Sequence, residues 1–145
     1  MTPKDWTLLV LATAKGRPVQ PVHLQKALFV LSRQFSLEQL QVENFYEFEP
    51  YDYGPFCSAV YADAEALASE GLVEIDQLPN RSYRQYSATE AGIAAGGVLR
   101  EDIDPDVTEY LDRLVSWMSG RSFREVVSAI YKAFPEMKAN SIFQE

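Results

Sequence analysis

Leu72-Val73-Glu74-Ile75-Asp76, Pro79-Asn80-Arg81-Ser82 and Tyr83-Arg84-Gln85-Tyr86-Ser87 form the stretch whose reading decides the fold. The first segment alternates apolar and polar residues, as a strand with one buried face does. The second is turn chemistry, and the third returns as a strand. Together they predict a β-hairpin, so the remaining question is what surrounds it.

Toward the N-terminus the pattern is mostly helical. Asp5 to Ala14 reads as an amphipathic helix stopped by Lys15-Gly16-Arg17-Pro18. Its apolar run, Leu8 to Leu11, is too short for a signal peptide, and no run approaches the ~18–20 apolar residues of a membrane span. A second helix starts near Pro21, with Leu24, Ala27, Leu28, Leu31 and Phe35 on one stripe and Gln25, Lys26 and Arg33 turned toward solvent or a partner. Phe45 to Tyr51 alternates as a short strand, Tyr46 and Phe48 on one side and Glu47 and Glu49 on the other, ended by Pro50 and the Tyr53-Gly54-Pro55 turn. Pro55 is placed to open a third helix, with Phe56, Val60, Ala64 and Leu67 inward and Gly71 at its end.

Beyond the hairpin, Ser87-Ala88-Thr89-Glu90 offers a hydroxyl cap for a fourth helix that Gly96-Gly97 would halt. Asp104-Pro105 caps a fifth carrying Val107, Leu111, Leu114 and Met118. Ser122 and Glu125 form a capping box for a sixth carrying Phe123, Val126, Val127, Ile130 and Phe134, stopped by Pro135. Three helices followed by a hairpin is the layout of a winged helix-turn-helix, in which the hairpin is the wing and the third helix occupies the recognition position. The expected fold is mainly α with a small β-hairpin wing: a winged core over residues 1–100 and a two-helix C-terminal extension over 101–145 packed on it, one domain overall.

Several segments carry a resemblance. Leu24-Gln25-Lys26-Ala27-Leu28-Phe29, Phe48-Glu49-Pro50-Tyr51-Asp52-Tyr53-Gly54-Pro55-Phe56, Val60-Tyr61-Ala62-Asp63 and Ile130-Tyr131 with Phe134-Pro135-Glu136 are similar to the pattern of small prokaryotic winged-helix proteins related to the SocA-like antitoxins, the Panacea-domain group. The resemblance spans roughly residues 20–135. It implies an antitoxin, adaptor or regulator, and it supplies no catalytic residue; a cytoplasmic address is the expectation from the single cysteine, Cys57.

Composition narrows the function classes. With a single cysteine (Cys57) and a single histidine (His23), neither a Cys/His zinc site nor an internal disulfide can be assembled. No cofactor or metal is expected, and no enzyme activity. Glu47, Glu49 and Asp52 have no histidine or basic neighbour in sequence to tune them, so a solvated face is the better reading than an acid/base pair. His23 reads as a surface or capping residue and Cys57 as an inert thiol at a helix start.

Charge separates two functional hypotheses. The chain carries a net charge of −8, and from Gln34 through Asn80 it holds ten acidic residues and no basic one. The third helix therefore lacks any cation to meet a phosphate or a guanine edge. The favoured reading is a module that binds a basic protein partner through an acidic, tyrosine-bearing face built from Tyr51, Asp52, Tyr53, Tyr61 and Glu65, since tyrosine joins large contact area to a polar tip. The alternative is a DNA-binding regulator docking through Lys15, Arg17, Lys26, Arg81 and Arg84. Trp117, beside the inner stripe of the fifth helix, marks a surface where a homodimer could form through the C-terminal helices.

Overall fold

Every residue from Trp6 to Ala12 of helix α1 (Pro3–Thr13) is buried. A helix buried on all sides belongs inside the protein, so α1 is the axis of the core where an amphipathic helix was expected. The computed structural model describes residues 1–77, 79 and 83–141. Around α1 it arranges α2 (Pro21–Gln34), α3 (Ser58–Ser69), α4 (Glu90–Arg100), α5 (Pro105–Ser119) and α6 (Phe123–Ala133), with a 3-10 turn at Pro135–Lys138. Strands β1 (Glu49–Tyr51) and β2 (Gly54–Phe56) form one antiparallel pair, and β3 (Val73–Gln77) and β4 (Arg84–Ala88) another. Val19 also bridges to Tyr86 of β4, with amide-to-carbonyl bonds of 2.7 and 3.0 Å in the two directions.

The chain is thus mainly helical, and the hairpin expected after the third helix is present with Val73 opposite Ala88 and Ile75 opposite Tyr86. Leu24, Leu28, Val60 and Leu67 share one buried cluster with α1, and Val107, Leu111, Val115, Met118 and Val126 of the last two helices enter the same cluster. Each fully buried leucine of this set contributes about 1.5–3 kcal/mol of transfer free energy. A satellite cluster joins Phe29 to Ile130 and Met137, with Phe48 and Phe134 packed on it. The caps read from sequence at Asp104 and at Ser122 with Glu125 are formed. Among the described residues no helix is long and apolar enough to cross a membrane.

Four local expectations are corrected. Burial alternates as expected from Tyr46 to Glu49, but pairing begins only at Glu49. Pro50 lies inside a strand, opposite Pro55, because a two-residue turn at Asp52-Tyr53 folds the chain back on itself. Pro55 therefore sits in β2, and α3 begins three residues later with Cys57 as its N-cap. Helix α4 is capped by Thr89, whose hydroxyl accepts from the Gly92 amide at 3.1 Å and donates to the Gly71 carbonyl at 2.7 Å. That helix runs through Gly96-Gly97 because Gly96 lets it approach α1: a Cβ there would lie 2.6 Å from the Ala12 Cβ. Finally, His23, Gln25 and Lys26 are not at the surface; they are 6%, 1% and 3% exposed.

Candidate functional site

The β1–β2 hairpin carries Tyr51, Asp52 and Tyr53 at its tip, and the local sequence explains its rigidity. Gly54 has φ of +102°, and a Cβ on it would meet Lys26 Cε and Tyr131 Cε1 at 3.3 Å each. Only glycine takes that backbone angle without strain. Behind the hairpin, Gln25 clamps the start of α3: its amide nitrogen donates to the Cys57 carbonyl at 2.9 Å and its amide oxygen accepts from the Cys57 N–H at 3.0 Å. The Lys26 ammonium donates to the Pro55 carbonyl at 2.8 Å. From the C-terminal side Asn140 donates to the Pro50 carbonyl at 3.2 Å and Ser141 Oγ to the Asp52 carbonyl at 3.1 Å.

The tyrosines divide into two kinds. Tyr51 and Tyr53 are 54% and 40% exposed, each braced on one side: Tyr51 stacks on Phe56 with centroids 5.1 Å apart, and Tyr53 meets the edge of Phe123 at 5.1 Å. Tyr61 is half-buried. It lies between Phe56 and Tyr86, stacked on the latter at 6.0 Å with rings only 6° from parallel, and burial pushes its phenol up to about 12. An aromatic row thus runs Tyr51, Phe56, Tyr61, Tyr86 from one hairpin across α3 to the other. Tyr46 lies deeper: its hydroxyl donates to Asp63 Oδ2 at 2.6 Å and accepts from Thr7 Oγ1 at 2.7 Å, and burial raises its pKa.

The acidic and basic candidates meet each other. Arg84 Nη1 lies 3.2 Å from Glu65 Oε1, so a residue expected to face a protein and one expected to face DNA are partners across the α3–β4 boundary. Lys26, read as a nucleic-acid contact, is corrected: it is enclosed between α2, β2 and α6, and burial alone brings its pKa down to about 7. Arg81 lies outside the described residues. Lys15 and Arg17 stand instead on the α1–α2 loop, along a groove shared with Arg100, which pairs with Asp112 at 2.9 Å. The four described cations of this set therefore do not form one surface.

Sequence reasoning missed a cleft beside Tyr53. Pro21, Val22, Tyr83 and Phe123 line it with Tyr53, enclosing about 500 Å³. Its walls come from the starts of α2 and α6 and from the second hairpin, segments far apart in sequence, so no local signal announces it. Trp117 is 38% exposed, as expected of a residue beside the inner stripe, and the Arg121 guanidinium covers it 5.3 Å from the ring centroid. Comparison of the chain with family models, with curated proteins and with solved structures returned no match.

Proposed function

We propose that the chain is a non-enzymatic winged-helix adaptor of antitoxin-like type that binds a basic protein partner through the Tyr51-Asp52-Tyr53 tip and the cleft beside it. One observation carries the reading: two tyrosines are left largely open on a hairpin fixed from both sides, next to an aromatic-lined cleft. Rigid, pre-braced aromatics are what interface hot spots are made of, because little conformational freedom is lost when a partner covers them. The absence of any lysine or arginine in the sequence of α3, with an exposed Glu65 on its outer face, supports a basic partner over a nucleic acid.

The test is capture from the native host followed by reconstitution with the purified partner, comparing the wild-type chain with Tyr51→Ala/Tyr53→Ala. The double variant is expected to lose about 30-fold or more in affinity, the cost of removing a hot-spot pair, with its fold intact by circular dichroism. Unchanged affinity would sink the reading, as would retention of duplex DNA in place of a protein.

A further inference from the structure

Residues 36–48, between α2 and β1, belong to no helix or strand, yet they carry most of an aromatic wall. Phe45, Tyr46, Phe48 and, from α2, Phe29 follow one another in edge-to-face contacts, with centroids 5.1, 6.2 and 5.6 Å apart. In such pairs one ring offers its face and the other its edge, so the rings fix one another without sandwiching. Together with Leu37 they line a groove of about 380 Å³. It is open to solvent: Leu37 is 45% exposed, and Phe45 and Phe48 are half-buried.

Charge says what the groove would hold. Glu43 and Glu47 also line it; both are exposed, and among the described residues neither forms an ion pair. The one cation of the lining, Arg33, is already engaged, its Nη1 2.9 Å from Glu136 Oε1. Its guanidinium lies 4.9 Å from the Phe29 centroid and 5.5 Å from that of Phe134. The ring cluster thus receives one guanidinium from within the chain, while Phe45 and Phe48 share the groove with two carboxylates that have none. Ring faces beside unpaired carboxylates suit a cation on an aliphatic stem, and a guanidinium above an ammonium, because its plane stacks on rings and it is more weakly hydrated. An anionic occupant is repelled, since the groove belongs to the stretch from Gln34 to Asn80 that holds ten acids and no base.

We infer that this groove receives an arginine side chain of a basic protein partner. The inference rests on the partner-binding reading and deepens it: the tyrosine tip and the groove lie at opposite ends of β1, Tyr51 to Tyr53 after it and Phe45 to Phe48 before it, so the partner is held at two points.

The experiment titrates the purified chain with N-acetyl-arginine amide and with its lysine and citrulline counterparts at matched ionic strength, following backbone amide NMR shifts. The arginine probe is expected to bind saturably with a Kd on the order of millimolar, as suits one side chain, with shifts centred on Leu37 and on Glu43 to Phe48. Lysine, equal in charge but without the planar fork, is expected to bind about threefold or more weakly, and citrulline, similar in shape but uncharged, about tenfold or more weakly. Mere attraction to a chain of net charge −8 would treat arginine and lysine alike and scatter the shifts over the acidic stretch; that result overturns the assignment, as does the absence of saturable shifts. Glu43→Gln/Glu47→Gln, at exposed positions, is expected to keep the melting midpoint and lose about tenfold in arginine affinity. Unchanged affinity in that variant overturns the assignment too, and concentration-dependent shifts of the same amides without any probe would give the groove to a second copy of the chain. The two readings fail separately. No arginine binding in the groove, with the partner still lost by Tyr51→Ala/Tyr53→Ala, sinks the groove alone; arginine binding there, with partner affinity unchanged in the tip variant, sinks the tip alone.

Discussion

A buried ammonium is the most unusual single residue in the molecule. Lys26 is 3% exposed, and burial lowers its pKa from 10.5 to about 7. Because the folded-state value lies below the unfolded one, the unfolded chain binds the extra proton between about pH 7 and 10.5. Stability from this group therefore rises with pH across that window, by up to ~1.4 kcal/mol per unit, and the penalty is fullest below about pH 7. Lys26→Met removes the penalty and leaves the Pro55 carbonyl without its donor, which costs about 1–3 kcal/mol. The variant is expected to be more stable than wild type by about 1–3 kcal/mol near pH 6, with the advantage lost or reversed near pH 9.5. Urea melts of both proteins at the two pH values check it; an equal difference at both would show that the ammonium is not desolvated. The buried His23, lowered from 6.5, acts in the same direction over a lower window: its contribution declines as pH falls below about 6.5.

Among the elements, α4 is set by what its glycines permit. At Gly92 a Cβ would come within 2.0 Å of the Leu72 carbonyl oxygen, at Gly96 within 2.6 Å of Ala12 Cβ, and at Gly97 it would meet nothing within 4 Å. Alanine is worth about 0.5–1 kcal/mol over glycine inside a helix, so Gly97→Ala is expected to raise stability by that amount. Gly92→Ala gains the same propensity but must push α4 off the second hairpin, for a net loss of about 1–3 kcal/mol. Opposite shifts in denaturation midpoint are the result expected, and the same sign for both would mean that α4 is not packed as described. The same helix shows where sequence reading ends. Periodic stripes and hydroxyl caps are local, and so Leu24, Leu28, Val107, Asp104 and Ser122 were legible. The pair Gly96-Gly97 looks like a stop because its packing partner, Ala12, is more than eighty residues away in sequence. Gln25 and Lys26 look outward for the same kind of reason: α2 is covered on that side by a hairpin and by α6, neither of which its own periodicity reports. Of the candidate site, Tyr51, Asp52 and Tyr53 were legible as tyrosine-bearing neighbours of a turn, read one residue late at Tyr53-Gly54-Pro55, whereas the hairpin pairing, the cleft and the Glu65–Arg84 pair arise only from tertiary structure.

On the scale of the whole molecule the question is where its cations end up. Lys4 pairs with Glu70, Arg33 with Glu136 and Arg84 with Glu65, and Lys26 is inside. What the α1–α2 loop offers to a phosphate is Lys15 and Arg17, on a chain of net charge −8. A grip on duplex DNA draws its strength from several released counterions, and a strongly negative protein must first overcome repulsion. Random duplex is therefore expected to bind weakly or not at all at about 150 mM salt. Glu65→Lys makes this decisive. Both members of the Glu65–Arg84 pair are substantially exposed, 57% and 44% by side chain, and such surface pairs are worth about 0–1 kcal/mol, so the melting midpoint moves little. The substitution leaves Arg84 without its carboxylate, adds a cation to α3 and makes the chain less negative by two charges. For a DNA binder every one of those changes strengthens association and steepens its salt dependence. For a module facing a basic protein they place like charges across the interface and weaken the complex, by about 2–5 kcal/mol where the contact is buried. The partner-binding reading expects weakened capture with DNA affinity still negligible. A Glu65→Lys chain that acquires tight, salt-sensitive DNA binding while keeping its protein partner would transfer the function to the loop cations and to Arg84.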